Sequence, residues 1–396
     1  MFKRVGTSLE KGERKENQDA ILVRAYLAEE SKQRDAEDAL ILGVLDGHGS
    51  SGRACANVTR DLFEKALLAK DNKIVASALK NLEESNPELR TSLEDLFEAI
   101  QKDIETYSEQ KQDGVNARFS GTTVVLTIVT AKCIAVANVG DSDCVLGTRK
   151  DGKLEATLMN SRHQLHVEEE KLRVEQAGGR VEAQRTRDGA QMIGPLRVWL
   201  KEIQTPGLMV SRSIGDTVCH DIGVCSSPHI HCHRRTKDDL LVILGSDGLW
   251  EFVDYAEAVH FVDDFLDSGA AAHALAKMAL SRQSVKTADN VSVIVLFLED
   301  DQDRKNRLEA DPEFEERRQR RLAQIVEFDD RIEQIRLGKA DVVSGPQVPG
   351  KPLGGTSGSI LYGEVNVVHG SIVASESAKP DDSPLPPTRS KLCTIS

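Results

Sequence analysis

Short apolar runs separated by polar turns dominate the first 300 residues. Most are rich in valine and isoleucine and have the length of strands: DALILGVLDG, GTTVVLTIVT, KCIAVANVGD, DDLLVILGSDG and DNVSVIVLFLED. A short turn joins the second run to the third, which predicts an antiparallel hairpin. Apolar positions recurring every three to four residues predict helices at 53–69, 93–107, 255–267 and 270–282, and a shorter one in VEEEKLRVEQAGG that ends at Gly178.

The order of these elements indicates the fold class. With 396 residues the chain can bury a sizeable core. The helices come in pairs rather than singly between strands. We therefore predict an α+β fold, a sandwich of antiparallel sheets with helices outside it, rather than a doubly wound parallel sheet.

The composition changes after residue 300. The segment 303–337 is highly charged, and its apolar side chains form one narrow stripe: Leu322, Ile325, Val326, Ile332 and Ile335. A solvated helix resting on the globular body and a partner-binding helix both fit this pattern. Seven of the 12 prolines fall in the last 56 residues among many glycines and serines, which predicts a disordered tail. The predicted divisions are 1–300, 301–340 and 341–396.

Charge and cysteine content narrow the function classes. A formal net charge of −13 argues against a nucleic-acid partner. No apolar run approaches the ~20 residues needed to span a bilayer, and the first residues lack the apolar core of a signal peptide. The seven cysteines are scattered, as reduced thiols of a cytosolic protein would be. We expect a cytoplasmic, monomeric protein.

Four aspartates adjoin apolar runs in glycine- or asparagine-containing turns: Asp46 in VLDGHG, Asp141 in NVGDSD, Asp247 in LGSDGLW and Asp289 in TADNVSV. Strand ends on one side of a sandwich converge, so these carboxylates would repel one another unless cations lay between them. Ligand sets made only of oxygen suit Mg²⁺ or Mn²⁺. The sequence therefore predicts a site for hard divalent ions.

The residues around Asp46 suggest a reaction. Asp46 can bridge two ions, and a water held between them becomes a nucleophile at neutral pH. Gly47 has no Cβ, so its carbonyl can approach a metal closely. His48 can protonate a leaving oxygen, although it can also be a plain turn residue. Arg14, in GERKENQDA, can bind a phosphate dianion through two parallel hydrogen bonds.

Nine stretches together resemble the metal-dependent, type 2C serine/threonine protein phosphatases. They are RKENQDA, LDGHGSSG, FSGTTVV, ANVGDSD, EEEKLRVEQAGGRV, GPLRVWL, PGLMVSRSIGD, LLVILGSDGLWE and ADNVSVIVL, and they follow the order and approximate spacing of that family. The resemblance covers about residues 5 to 298. It implies hydrolysis of phosphoserine and phosphothreonine in phosphorylated proteins.

The resemblance also implies an architecture and a set of roles. The fold would be a four-layer α/β/β/α arrangement, an antiparallel β-sandwich flanked by pairs of helices, with a binuclear site at one end. Its two Mg²⁺ or Mn²⁺ ions would be held by Asp46, the Gly47 carbonyl, Asp247 and Asp289, with Asp19 near the metal waters. The remaining correspondences are Arg14 with the phosphate-binding arginine, His48 with the general acid, Asp141 with a ligand of a weaker third metal, and 180–206 with the substrate flap.

Some positions depart from the family pattern. Gln18 stands where many members have glutamate, and Asp143 replaces a common arginine after GDS. Arg162 and Leu165 replace the aspartate and proline of the usual DHxP stretch. None of these positions is a predicted direct metal ligand, so the departures bear on substrate preference and third-metal affinity.

Three other interpretations stay open at this stage. A phosphatase-fold protein that binds without hydrolysing is one, and a two-metal nuclease or other phosphodiesterase is another. His229, His231 and His233 share one face of a predicted strand, which is a zinc alternative, although no closed four-ligand set follows from that spacing. Asp216, in SRSIGD, fits a structural role better than a ligand role.

The last four residues carry a separate signal. CTIS, Cys393 to Ser396, has the form of a prenylation motif, and a terminal serine favours farnesyl transfer. One lipid chain beside a thin basic patch, Arg389 and Lys391, binds membranes only marginally. The sequence therefore predicts reversible membrane association through Cys393.

Overall fold

The computed structural model describes residues 4–26, 39–69, 74, 86–186 and 190–337, and all the elements below lie in these residues. The strands are β1 Val5–Glu10, β2 Ala20–Tyr26, β3 Ala39–Leu45, β4 Gly47–His48, β5 Gly121–Thr122, β6 Val124–Val129, β7 Cys133–Val139, β8 Asp143–Lys150, β9 Lys153–Leu158, β10 Arg180–Arg185, β11 Met192–Trp199, β12 Pro206–Leu208, β13 Ile214–Gly215, β14 His229–Arg234, β15 Asp239–Gly245 and β16 Val291–Phe297. The helices are α1 Gly52–Leu67, α2 Pro87–Glu109, α3 Glu168–Gln176, α4 Thr217–His220, α5 Asp247–Trp250, α6 Tyr255–Asp263, α7 Ser268–Arg282, α8 Asp301–Glu309 and α9 Phe314–Arg336, with a 3₁₀ turn at Gln112–Gly114.

Two five-stranded sheets form the sandwich. One has the order β1-β16-β15-β8-β9 and the other β14-β7-β6-β3-β2. Every neighbouring pair in both sheets is antiparallel, including the β6–β7 hairpin, in which Val124 pairs with Val139. The predicted antiparallel sandwich is therefore confirmed.

Strand β3 shows why many strands of this protein are continuous runs of apolar residues. Leu40, Leu42 and Val44 lie in the cluster between the two sheets. Ile41 and Leu45 point the other way, into the cluster under α1 and α2. Because successive side chains of a strand point to opposite faces, a strand covered on both faces has no polar position left.

The helices cover the two outer faces in pairs. Helices α1 and α2 pack on one sheet, and α6 and α7 pack on the other. Helix α2 begins at Pro87 rather than near residue 93, because the Asn86 side chain accepts a hydrogen bond from the Leu89 amide and caps the helix there. Asp254 and Asp267 cap α6 and α7 in the same way. The result is the expected α/β/β/α order of layers.

The charged extension forms two helices, α8 and α9, which flank the only proline of this segment, Pro312. Its predicted apolar stripe is partly wrong. Ile325 packs on the body and Ile335 is buried, whereas the Leu322 and Val326 side chains are 46% and 62% exposed. Residues 338–396, with the predicted tail and Cys393, lie outside the described residues, so lipidation stays a prediction.

The described residues contain neither a disulfide nor a membrane-spanning helix. Their six cysteines form no disulfide with one another. Among the described helices, none combines the length and the apolar character that crossing a bilayer requires.

Candidate active site

Four aspartates lie at one end of the sandwich. Asp46 directly follows β3, and Asp19 directly precedes β2, the antiparallel neighbour of β3. Asp247 follows β15, and Asp289 precedes β16, the antiparallel neighbour of β15. Antiparallel pairing sets the end of one strand beside the start of the next, so strand register brings these carboxylates together.

The carboxylates strongly disfavour each other's charge. Burial raises the pKa of Asp46 well above its usual range, and the charges of Asp19, Asp247 and Asp289 raise it further. The pKa of Asp247 is also raised well above its usual range, first by burial and then by Asp289. Burial raises the pKa of Asp19 to about 6, although the Ser292 hydroxyl donates to its Oδ2 at 2.6 Å. The ion pair of Arg14 with Asp289 compensates at most one of these four carboxylates.

The donor atoms suit hard divalent cations. Oδ1 of Asp19 and Oδ1 of Asp247 are buried and accept no hydrogen bond from the described residues. Within the described ranges, no three His, Cys, Asp or Glu side chains converge tightly enough to enclose an ion as they stand. Unused carboxylate oxygens and excess negative charge still fit Mg²⁺ or Mn²⁺, because both ions take oxygen ligands and bring the missing charge.

Gly47 is required by its surroundings. A Cβ at this position would lie 2.5 Å from the carbonyl oxygens of Gln18 and Gly52, closer than a real Cβ can stand. Any side chain would therefore push the loop before β2 away from the start of α1. The glycine predicted from its carbonyl chemistry is also the residue that lets these two segments meet.

His48 is held by an aspartate that the sequence did not assign to the site. His48 Nε2 lies 2.6 Å from Oδ2 of Asp216, which also accepts a hydrogen bond from the Ser213 hydroxyl at 2.7 Å. Burial lowers the pKa of His48, but the Asp216 carboxylate outweighs it and raises the pKa above its usual value. Asp216 is 1% exposed and has a left-handed backbone with φ 47°. A buried carboxylate in this conformation fixes the imidazole and favours its protonated form.

Arg14 meets the carboxylate cluster from the loop after β1. Its Nη2 lies 2.9 Å from Oδ2 of Asp289. Asn290 holds this loop. Its side-chain amide donates to the carbonyls of Lys11 and Glu16, and its Oδ1 accepts a hydrogen bond from the backbone amide of Gln18. Asn290 is thus the clamp that fixes Arg14 beside the cluster, a role that the sequence pattern did not reveal.

Asp141 lies at the margin of the cluster, after β7. The Gln164 amide donates to its Oδ2 at 3.2 Å. Burial raises the pKa of Asp141, and the charge of Glu251 raises it further against the opposing effect of Arg162. Glu251 was not predicted. It follows Asp247 by one helical turn, and four-residue spacing on α5 places both carboxylates on one face.

A family model described as Protein phosphatase 2C matches residues 4–291. The chain belongs to the protein phosphatase 2C family. This result confirms the resemblance read from the ordered motifs, and with it a serine/threonine phosphatase fold around the aspartates.

Relatives and solved structures agree with this assignment. Probable protein phosphatase 2C 65 of Arabidopsis thaliana is 30% identical over 306 residues, which cover 75% of this chain and 76% of that protein. Probable protein phosphatase 2C 72 of the same plant is 31% identical over 293 residues, covering 72% and 82%. The crystal structure of serine-threonine phosphatase 2C from Toxoplasma gondii superposes with a TM-score of 0.61 at 21% identity and covers 74% of this chain and 94% of that one, which shows a shared fold.

Two of the departures from the family pattern, Asp143 and Arg162, contact each other in the structure. Asp143 is fully buried, and its Oδ2 accepts hydrogen bonds from Arg162 Nε at 2.7 Å and from the Tyr255 hydroxyl at 2.7 Å. Asn160 donates to the other carboxylate oxygen at 3.1 Å. The family pattern read from the sequence has arginine and aspartate at these two positions, and in this chain the residues that replace them, Asp143 and Arg162, form an ion pair with each other.

The structure also explains why glutamine occupies position 18, where the family pattern often has glutamate. Its side-chain amide donates to the Gly49 carbonyl at 3.0 Å and to Glu16 Oε1 at 2.9 Å. A glutamate at this position could donate to neither. The amide therefore joins the Arg14 loop to the turn that follows His48, and the departure is compatible with the site geometry.

The predicted flap region forms a small three-stranded sheet, β10-β11-β12. Trp199 donates through Nε1 to the Glu182 carbonyl at 3.0 Å, and Leu165 belongs to the apolar cluster beneath this sheet. The histidine-rich stretch lies on β14, which pairs with β7. There His233 Nε2 lies 2.9 Å from Oδ2 of Asp239, the first residue of β15 in the other sheet, which gives this histidine a carboxylate partner.

Because Asp143 and Arg162 compensate one another in the interior, exchanging one charge should be far worse than exchanging both. We expect Arg162→Asp or Asp143→Arg alone to lower the free energy of unfolding by about 3–5 kcal/mol, since each sets two like charges together. The double exchange restores an ion pair and should recover more than half of the summed loss. Urea unfolding measures all three variants, and a double variant as unstable as the sum of the single ones would contradict the pairing.

Proposed function

We propose that this protein is a metal-dependent phosphatase that hydrolyses phosphoserine and phosphothreonine in phosphorylated proteins. The crowded carboxylates at the end of the sandwich carry this proposal, because their charge is unfavourable unless divalent cations join them. Arg14 and His48 lie beside the same cluster, and a phosphate site and a proton donor are what phosphate-ester hydrolysis needs in addition.

The residues that would hold the ions follow from their position. Carboxylates of Asp46, Asp247 and Asp289 and the Gly47 carbonyl would hold two Mg²⁺ or Mn²⁺ ions, with Asp19 beside them. When bound, the pair of ions supplies a water of lowered pKa as the nucleophile. Asp141, with Glu251 nearby, would hold a weaker third ion.

The chain's own side chains do the remaining work. Arg14 would turn from Asp289 to the phosphate dianion, which its planar guanidinium can hold through two parallel hydrogen bonds. Asp216 would keep His48 protonated and oriented, so that the imidazolium can give its proton to the departing serine or threonine oxygen. Without that proton the leaving group would be an alkoxide, which is a poor leaving group.

Two alternatives are less well supported. A protein of this fold that only binds would not need to keep every predicted metal-binding carboxylate, yet Asp46, Asp247 and Asp289 are all present at the site. A nuclease would have to attract a polyanion with a net charge of −13. Cytoplasmic localisation, a monomeric state and membrane association remain predictions from the sequence.

The proposal is tested by hydrolysis of a phosphothreonine peptide with Mn²⁺ and with EDTA. We expect activity only with the metal, and we expect Asp247→Asn to abolish it, because an amide cannot offset the charge of an ion. In EDTA the same variant should unfold at a temperature higher by about 2–4 °C, since it removes a carboxylate whose charge the folded site disfavours. Asp301→Asn, an exposed position on α8, is the control. Near-normal turnover of Asp247→Asn at saturating Mn²⁺ would refute the metal assignment.

A second test separates proton donation from the rest of the reaction. His48→Ala should reduce turnover of the phosphothreonine peptide by about 10²–10⁴, and turnover of an aryl phosphate much less, because a phenolate leaves without help. Asp216→Asn should show the same substrate dependence to a smaller degree, and adding it to His48→Ala should cost nothing more. The neighbouring exposed Asp221→Asn serves as its control. Equal losses on both substrates would mean that His48 has another role.

Arg14 is tested by two substitutions. Arg14→Ala should mainly raise KM for both substrates, and Arg14→Lys should recover only part of the loss because an ammonium cannot make the paired hydrogen bonds. Lys15→Ala, one residue away and exposed, should behave as wild type. Full recovery of kcat/KM with lysine would exclude bidentate recognition of the phosphate.

A further inference from the structure

Helix α9 lies beyond the part of the chain that matches the family model, which ends at residue 291. Its 23 residues span about 35 Å. One end of the helix lies by the loop between α6 and α7, and the other lies by the loop after β1. The helix thus connects the outer helical layer to the segment that carries Arg14.

The first half of α9 is anchored to the helical layer. Arg317 and Arg321 donate through Nε to the two carboxylate oxygens of the buried Asp264, at 2.8 and 2.9 Å. The guanidinium carbon of Arg321 also lies 4.9 Å from the centroid of the Phe261 ring. A buried carboxylate with two arginines and an aromatic contact fixes the position of this half on the body.

The second half follows α7 toward the active site. Lys277 pairs with Asp329 at 2.8 Å, and Arg331 donates to the carbonyl of Ser281 in the last turn of α7. Just after that turn, the Gln283 side chain accepts a hydrogen bond from the Asp289 amide. This half of α9 therefore lies against the start of the loop that carries Asp289.

The last turn of α9 contacts the Arg14 loop itself. Ile335 is 6% exposed and lines, with Gly12 and Gln283, a cavity of about 10 Å³, which holds at most one water. Arg336 Nε lies 3.0 Å from Oε1 of Glu13, the residue before Arg14. The contact between the helix and the loop is therefore nearly closed.

The Arg14 loop is held from two sides. On its inner side, Gly12 has φ 59°, and a Cβ there would lie 2.5 Å from the Asp289 carbonyl oxygen, so the two loops touch through their backbones. On its outer side stand Ile335 and Arg336 of α9. A loop with no regular structure of its own is fixed here by its neighbours.

We propose that α9 is a positioning element for phosphate binding, whose last turn holds the loop of Glu13 and Arg14 against the loop of Asp289. This inference rests on the proposed role of Arg14. It makes the C-terminal extension a support of the active site, so that a change at the end of α9 alters phosphate affinity from outside the site.

The expected effect is modest. The side chains of Arg336 and Glu13 are 55% and 34% exposed, and exposed ion pairs contribute little individually. In the full-length protein with Mn²⁺, Arg336→Glu should raise KM for an aryl phosphate and the inhibition constant of inorganic phosphate about two- to fivefold. The value of kcat should change less, because the metal ligands stay in place.

Matched variants separate this effect from general damage. Glu13→Arg combined with Arg336→Glu restores the ion pair and should return both constants toward wild type. Arg320→Glu makes the same charge change on the outward face of α9, where Arg320 pairs only with Glu316 among the described residues, and should change neither constant. Hydrogen–deuterium exchange over residues 11–16 should be faster in Arg336→Glu than in wild type or Arg320→Glu.

Each result decides the question. Equal behaviour of Arg336→Glu and Arg320→Glu, or a double variant as weak as Arg336→Glu, would overturn the proposal. Faster exchange with unchanged phosphate constants would also overturn it, because α9 would then order the loop without affecting phosphate. If the wild-type protein neither hydrolysed the aryl phosphate nor bound inorganic phosphate, the proposed function itself would fail. The exchange data would still show in that case whether α9 holds the loop.

Discussion

Repulsion among carboxylates crowded at one end of the sandwich is the constraint on which the rest of this structure depends. Asp19, Asp247 and Asp289 stand close enough to Asp46 to raise its pKa, and a flexible chain would let these carboxylates separate. Two sheets packed face to face and covered by helices on both sides do not allow that separation, because β3, β15 and β16, which adjoin Asp46, Asp247 and Asp289, are buried along their length. The free energy gained by packing the core holds these carboxylates together, at a place where a bound cation can neutralise their charge.

The parts of the site differ in how they are held. The aspartates sit at strand ends, where antiparallel register leaves little freedom. Arg14 sits on a loop, and this loop depends on contacts from Asn290, from the Asp289 backbone and from the last turn of α9. His48 depends on Asp216, a residue of a different segment with a strained backbone. The carboxylate cluster is therefore held by the pairing of the strands, whereas Arg14 and His48 are held by contacts from other segments of the chain.

Most of the fold and the central carboxylates could be predicted from the sequence, because their signals are local. Apolar runs and paired helices predicted the sandwich, and an aspartate beside a glycine or asparagine at a strand end predicted Asp46, Asp247 and Asp289. Asn290 and Asp216 could not be predicted, because they act on groups 274 and 168 residues away. Two positions of the stripe on the extension, Leu322 and Val326, are exposed for a similar reason, because contacts of α9 with Asp264 and Glu13, outside the helix, help to set which side of it faces the body.

The exchanged pair of Asp143 and Arg162 has a consequence for descent. A lineage that reversed these charges one residue at a time would pass through a protein with two like charges in a buried contact, which is a severe loss. Such an exchange would therefore need a neutral residue at one of the two positions as an intermediate, or two nearly simultaneous substitutions, and it would be equally hard to undo.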